Sequence, residues 1–188
     1  MHGPLTLKIK KMKTYVLTVS KTFPKNHKQA GKETDFVKKI QAAIDCTEDC
    51  GGECNICSSR NFKELKKLHT IRANYELWKK RIDEVNAGNA VLSIRYWSGR
   101  PYYTKQVEIC QLGKDSGCGV QALIFTDKTL HSATAFGPEY PNPTWYLGVN
   151  IGGLAKNDGL SELDFVEWFK KYDLSKPMAI IHFTDFRY

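Results

Sequence analysis

The sequence predicts an α+β domain: a curved mixed sheet or small β pseudo-barrel with helices packed at its ends. Three observations carry this reading. Strand-like and helix-like segments do not alternate regularly along the 188 residues, which argues against a doubly wound parallel sheet. A β-hairpin pattern occupies the middle of the chain, and the last strand-like run, Met178–Phe183, follows an amphipathic helical segment. Hydrophobic residues make up 41% and charged residues 26%, with 14 Gly and 7 Pro, so disordered and collagen-like classes are excluded and one globular domain is expected. No apolar run approaches the roughly 20 residues needed to span a bilayer. The lysines of residues 1–13 have no apolar stretch behind them, so a soluble, cytoplasmic protein with no membrane partner is expected.

Residues 1–12 read as a basic N-terminal extension, with Met12 resembling a natural start, and 13–188 as a single domain. Thr14–Ser20 is rich in β-branched and aromatic residues and predicts a strand. Phe23-Pro24, Asn26 and Gly31 mark a loop, after which Phe36, Val37, Ile40 and Ile44 recur at helical spacing, predicting a helix over about 34–44. Phe62–Lys67 is helix or turn and Leu68–Arg72 a short extended piece. From Asn74, a helix places Trp78, Ile82 and Val85 on one side and stops before Gly88. Ala90–Trp97 and Tyr102–Cys110 form the hairpin, turning at Ser98-Gly99-Arg100-Pro101. Ala90, Leu92, Ile94 and Tyr96 share one face of the first strand. Val120–Phe125 is a compact apolar strand, and the prolines at 138, 141 and 143 make 137–146 a rigid loop. Ser161 with Asp164 resembles a capping box opening a helix through Leu163, Val166, Phe169 and Tyr172.

The net charge of +8 is local. Residues 1–39 hold ten lysines against Glu33 and Asp35, whereas 40–188 carry 18 basic and 18 acidic side chains. A second concentration, Arg60, Lys63, Lys66, Lys67, Arg72, Lys79, Lys80 and Arg81, faces only Glu64 and Glu76. Brought together, the two segments would attract polyanions; kept apart, they only solvate helix faces and a terminus. At the hairpin, Arg95, Trp97, Arg100, Tyr102 and Tyr103 could stack on unpaired bases or serve as core aromatics and surface arginines.

Four of the six cysteines, Cys46, Cys50, Cys54 and Cys57, crowd into one window with Gly51 and Gly52. Four thiolates on a loop could close around zinc, although the spacing differs from paired knuckles separated by a longer loop. The other reading is a surface insertion over 45–61 whose thiols stay reduced. The C-x3-C-x2-C spacing within it matches iron-sulfur radical enzymes, but the chain is too short for their barrel. No G-x-x-x-x-G-K-[ST], G-x-S-x-G or H-E-x-x-H motif occurs.

The run Lys67-Leu68-His69-Thr70-Ile71-Arg72 resembles the lysine, two residues, threonine, one residue, arginine signature of ASCH domains, members of the PUA-like superfamily. The order of surrounding segments is similar. A strand and short helix precede the signature, Gly88 leads into a strand, and Asp158-Gly159-Leu160-Ser161 resembles the family's acidic-Gly-hydrophobic-Ser segment opening a helix. The resemblance covers most of 13–112 and 154–183, while 113–153 is longer than in small members. It implies a PUA-like (ASCH) pseudo-barrel with flanking helices and a cleft near the signature. Some small bacterial ASCH proteins remove the acetyl group from the exocyclic nitrogen of acetylcytidine with a lysine, a threonine and a glutamate. Carried over, these would be Lys67 and Thr70, with Asp158 standing where the family has glutamate.

Three functions follow as expectations. The first is binding of RNA, another single-stranded nucleic acid or a modified nucleoside, with the base in the cleft at Lys67 and Thr70. Arg72, His69, Arg95, Trp97, Arg100, Lys21 and Lys25 would contact the ligand. The second is an amidohydrolase in which Lys67, desolvated, activates the Thr70 hydroxyl and Asp158 protonates the leaving amine. Glu108 is another carboxylate, expected as a solvated partner of a lysine. The third is an interaction protein whose cysteine loop binds zinc; no cofactor is required by the first two.

Overall fold

A computed structural model describes residues 12–45, 66–126 and 129–188. Along the chain these form β1 (Lys13–Thr18), α1 (Phe36–Asp45), β2 (His69–Arg72), α2 (Tyr75–Asn86), β3 (Ala90–Trp97), β4 (Gln106–Leu112), β5 (Gly119–Phe125), β6 (Ala133–Phe136), β7 (Tyr146–Val149), α3 (Ile151–Asn157), α4 (Glu162–Phe169) and β8 (Met178–His182). The fold is α+β. Its strands divide into a mixed sheet in the order β1-β3-β4 and an antiparallel sheet in the order β2-β8-β5-β6-β7, and the described strands close no barrel. In the first sheet β1 runs parallel to β3, with Thr18 opposite Arg95. Helix α2 packs against β3, β5 and β8 and so ties the two sheets together. No helix among the described residues is long and apolar enough to cross a membrane.

Local chemistry accounts for most boundaries. Helix α2 opens at Asn74, whose left-handed backbone (φ 65) is one that asparagine tolerates and whose side chain accepts from the Leu77 N–H. It closes before Gly88 at φ 72. The α4 cap forms as the spacing predicts, Ser161 Oγ accepting from Asp164 N at 3.1 Å, but α4 ends at Phe169 and Tyr172 lies in the turn beyond. Ala90, Leu92 and Ile94 are buried on one face of β3. Strand β8 is buried throughout, with β2 and β5 on its two edges and α2 packed against it.

One expectation needs correction. The hairpin is antiparallel as predicted, but β4 begins at Gln106 rather than Tyr102. Tyr102 adopts φ 66, and Thr104 Oγ1 accepts from Gly99 N, so 98–105 is all turn. The 137–146 stretch is loop as expected through Trp145, while the sequence pattern assigns nothing to 126–136 or 147–160, where β6, most of β7 and α3 lie. Helix α3 contains Gly152 and Gly153, poor helix formers, and depends on Asn150 accepting from Gly153 N at 2.6 Å.

Candidate functional site

The signature is held between two helices. Lys67 N donates to Lys39 O of α1 at 3.1 Å, Leu68 N to Asn157 O of α3 at 2.8 Å, and Phe183 N returns to Leu68 O at 2.9 Å. From this clamp the chain enters β2, where alternation puts Thr70 and Arg72 on one face and His69 and Ile71 on the other. Asp158 caps α3, and Gly159 follows at φ 77. A Cβ on Gly159 would stand 3.1 Å from Lys67 Cβ, so glycine is what lets the α3–α4 turn lie against the signature lysine.

Lys67 and Asp158 form a buried ion pair. The ammonium donates to Asp158 Oδ1 at 2.7 Å and to the Asp158 carbonyl at 2.5 Å, and lies 4.1 Å from the centroid of the Phe36 ring. Lys67 is 1% exposed and Asp158 4%. Burial lowers the Lys67 pKa to about 8 despite the opposing attraction of Asp158. Burial also opposes ionisation of Asp158, but Lys67 and His69 outweigh it and hold the carboxyl below its ordinary range.

A chain of polar groups supports the pair from behind. Asn157 Nδ2 donates to Tyr188 Oη at 3.0 Å, so that hydroxyl passes its proton toward His69 Nε2, 2.8 Å away. The imidazole proton then sits on Nδ1, 3.7 Å from Asp158 Oδ1. Burial lowers the His69 pKa, keeping the ring neutral.

The pair floors a cavity of about 220 Å³ lined by Thr18, Ser20, Phe36, Lys67, Thr70, Arg72, Asp158, Trp168, Phe169 and Tyr172. Arg72 donates to Thr70 Oγ1 and Thr18 O, both at 2.8 Å, and to Ile71 O at 2.9 Å. Of the five N–H donors of a guanidinium, two have no partner among the described residues. The chamber lies below the roughly 300–1,000 Å³ of drug-sized sites, which suits one small planar group. A larger hollow, about 460 Å³, is a shallow depression on the charged outer face of α2, lined by Glu76, Lys79, Lys80 and Asp83 among others.

The structure thus brings Lys67, Thr70, Arg72 and Asp158 to one cavity. The other sequence candidates lie elsewhere. His69 is fully buried behind Asp158, where no ligand reaches, so it is a supporting group. Arg95 is turned toward Glu108 by a bulge in β4 and also donates to Ser93 Oγ at 2.7 Å. Glu108 therefore has an arginine partner rather than a lysine, and also accepts from Ser93 and Gln111. Trp97 packs on Tyr102, and Arg100 lies over the Tyr103 ring at 4.2 Å, both at the hairpin and outside the cavity lining. Lys21 is 3.8 Å from Glu33 and borders a separate apolar hollow that shares Phe36 with the cavity. Lys25 is exposed on the 24–31 loop. Cys46, Cys50, Cys54 and Cys57 lie outside the described residues, and the described residues contain no group of three metal-ligating side chains. Cys110 and Cys118 are free thiols.

Sequence reasoning missed the aromatic wall. Trp168 and Tyr172 stand four apart, one step round from Phe165 and Phe169, which are buried core. A doubled aromatic stripe at helical spacing, wider than one core face requires, is the signal that would have found them. No family model, curated protein or solved structure matches the chain.

Proposed function

We propose that this cavity binds the base of an RNA nucleotide or modified nucleoside, on a PUA-like, ASCH-type scaffold, in the cytoplasm. One observation carries the reading: the lysine, threonine and arginine of the signature line, with Asp158, a one-base-sized chamber walled by Phe36, Trp168 and Tyr172. Aromatic walls take the faces of a planar ring, while Thr70 and the spare Arg72 donors face its polar edge or phosphate. Binding of acetylcytidine and of short single-stranded RNA, measured by calorimetry over a salt series, tests it. Arg72→Ala should weaken RNA binding at least tenfold and reduce the salt slope. Unchanged affinity would remove the cavity from recognition.

Amidohydrolysis of an acylated nucleoside is a second reading, favoured by the Lys67 pKa of about 8 beside Thr70 and Asp158. It ranks lower because the Lys67 ammonium is engaged by two Asp158 oxygens, and Thr70 Oγ1 is bonded to Arg72. Hydrolysis would require Lys67 to lose its proton, accept that of Thr70 as the hydroxyl attacks the acyl carbon, and pass it to the departing amine, since Asp158 is held ionised rather than able to protonate the amine as expected. Water would then attack the acyl-Thr70 ester, giving a proton to Lys67 that returns to the Thr70 oxygen as the acid leaves. Turnover of acetylcytidine that disappears in Lys67→Met, with RNA binding retained, would move this reading to first place.

A further inference from the structure

Behind the Trp168–Tyr172 wall lies a second hollow of about 200 Å³, lined by Pro24, Asn26, His27, Glu167, Trp168, Lys171 and Tyr172. Its volume is close to that of the Lys67–Asp158 chamber, and the two share Trp168 and Tyr172. We infer that this hollow seats the neighbouring nucleotide of a single strand, so that the protein reads a two-nucleotide step with the indole of Trp168 between the bases. The inference rests on the base-binding reading of the first chamber and adds the class of its ligand: a strand rather than a free nucleoside.

The wall is held in place from the core side. Trp168 meets Phe23 edge-on at 5.8 Å, Phe36 at 5.8 Å and His27 at 6.1 Å between ring centroids. His27 stacks on Phe23 at 4.5 Å and is 5% exposed. Its Nδ1 accepts from Gln29 N at 3.0 Å, so Nε2 carries the proton and donates to Asp164 O at 3.2 Å. Both ring nitrogens being committed, His27 offers a flat face and no base chemistry. One aromatic ring shared by the linings of two one-base hollows suits the way unstacked strands are held.

Charge around the second hollow favours a polyanion. Lys25 and Lys28 are exposed on the loop over it and Lys171 lines it, while the carboxylate of Glu167 is taken by Lys170. A free nucleoside needs none of these lysines; a linking phosphate would sit among them.

The test uses the intact chain and two probes: acetylcytidine, and dinucleotides joining acetylcytidine to cytidine in each order. One dinucleotide should bind at least about fivefold tighter than acetylcytidine, the low end of what one stacked base contributes. The exposed-lysine variant Lys28→Glu/Lys171→Glu should lose that gain and leave acetylcytidine affinity unchanged. Acetylcytidine binding with no gain for either dinucleotide, or a gain that survives the variant, overturns the two-nucleotide inference and leaves the first chamber standing. Failure of all the probes to bind overturns both.

Discussion

Lys67 holds Asp158 at two oxygens, the carboxylate at 2.7 Å and the backbone carbonyl at 2.5 Å. Lys39 donates to the next carbonyl, Gly159 O, at 2.8 Å, so two ammonium groups tie down consecutive peptides of the α3–α4 turn. The signature lysine is therefore a structural clamp on the cavity floor as well as a charge within it.

Breaking one half of this pair leaves the other as a buried charge without its counter-ion. Asp158→Ala should cost about 3–5 kcal/mol in urea unfolding, and Lys67→Met a similar amount. The double variant Lys67→Met/Asp158→Leu should lose clearly less than the sum, because neither charge then remains buried. Additive losses would show that the two side chains do not interact.

The pair also sets a pH dependence. The folded-state pKa of Lys67, about 8, lies below its ordinary 10.5, so between these values the unfolded chain binds more protons and the contribution to stability rises with pH. It is complete above 10.5 and lost as pH falls through 8. Tyr75, pushed up to about 12, and Cys110, pushed up to about 11, act in the opposite direction. The readout is therefore the stability of the wild type minus that of Lys67→Met. That difference should increase from pH 8 to 10; a flat difference would mean that burial does not perturb Lys67.

Gly159→Ala should destabilise by about 1–2 kcal/mol from its left-handed backbone alone. The new methyl would also press on Lys67 Cβ, at 3.1 Å, and Lys39 Cδ, at 3.3 Å. A matched substitution at Gly31, whose φ is 81 but where an added methyl would meet no atom within 4 Å, carries the backbone cost only. Ligand binding should fall with Gly159→Ala and not with Gly31→Ala. Equal effects on binding would mean that the close approach to Lys67 is unimportant.

Elements with strong local signals were legible in the sequence. Alternation gives β3 its bounds at Ala90 and Trp97, and Asn74 with Gly88 brackets α2. The signature residues were legible as a group because β2 carries Thr70 and Arg72 on one face, while Asp158 reaches them only through tertiary contact. Helix α3 was hidden because its glycines oppose helix locally, and packing against α4 with the Asn150 cap overrides them. Strands β6 and β7 are four residues each, too short for period-two alternation to stand out. The role of Trp168 was hidden because one helix face supplies both core and cavity wall, a division that only the packing of α4 decides.

The ring of His182 lies 5.7 Å from that of His69 and 6.2 Å from Tyr188, behind the cavity floor. Neither ring nitrogen has a hydrogen-bond partner among the described residues, and the side chain is fully buried. Burial, with the nearby His69 and Arg187, lowers its pKa well below 6.5, so the folded protein holds it neutral. Its contribution is complete above pH 6.5 and lost as pH falls toward the folded value, at up to about 1.4 kcal/mol per pH unit. His182→Leu removes the proton-binding site together with two unpaired polar atoms. The variant should be at least as stable as the wild type at pH 7, and should lose less stability on going to pH 5. His69, also held neutral by burial, is present in both proteins, and losing a like-charged neighbour at low pH can only ease its protonation, which acts in the same direction. Equal losses over that interval would mean that His182 takes up its proton as readily in the folded chain as in the unfolded one, and that the layer supporting Asp158 is wetter than its packing implies.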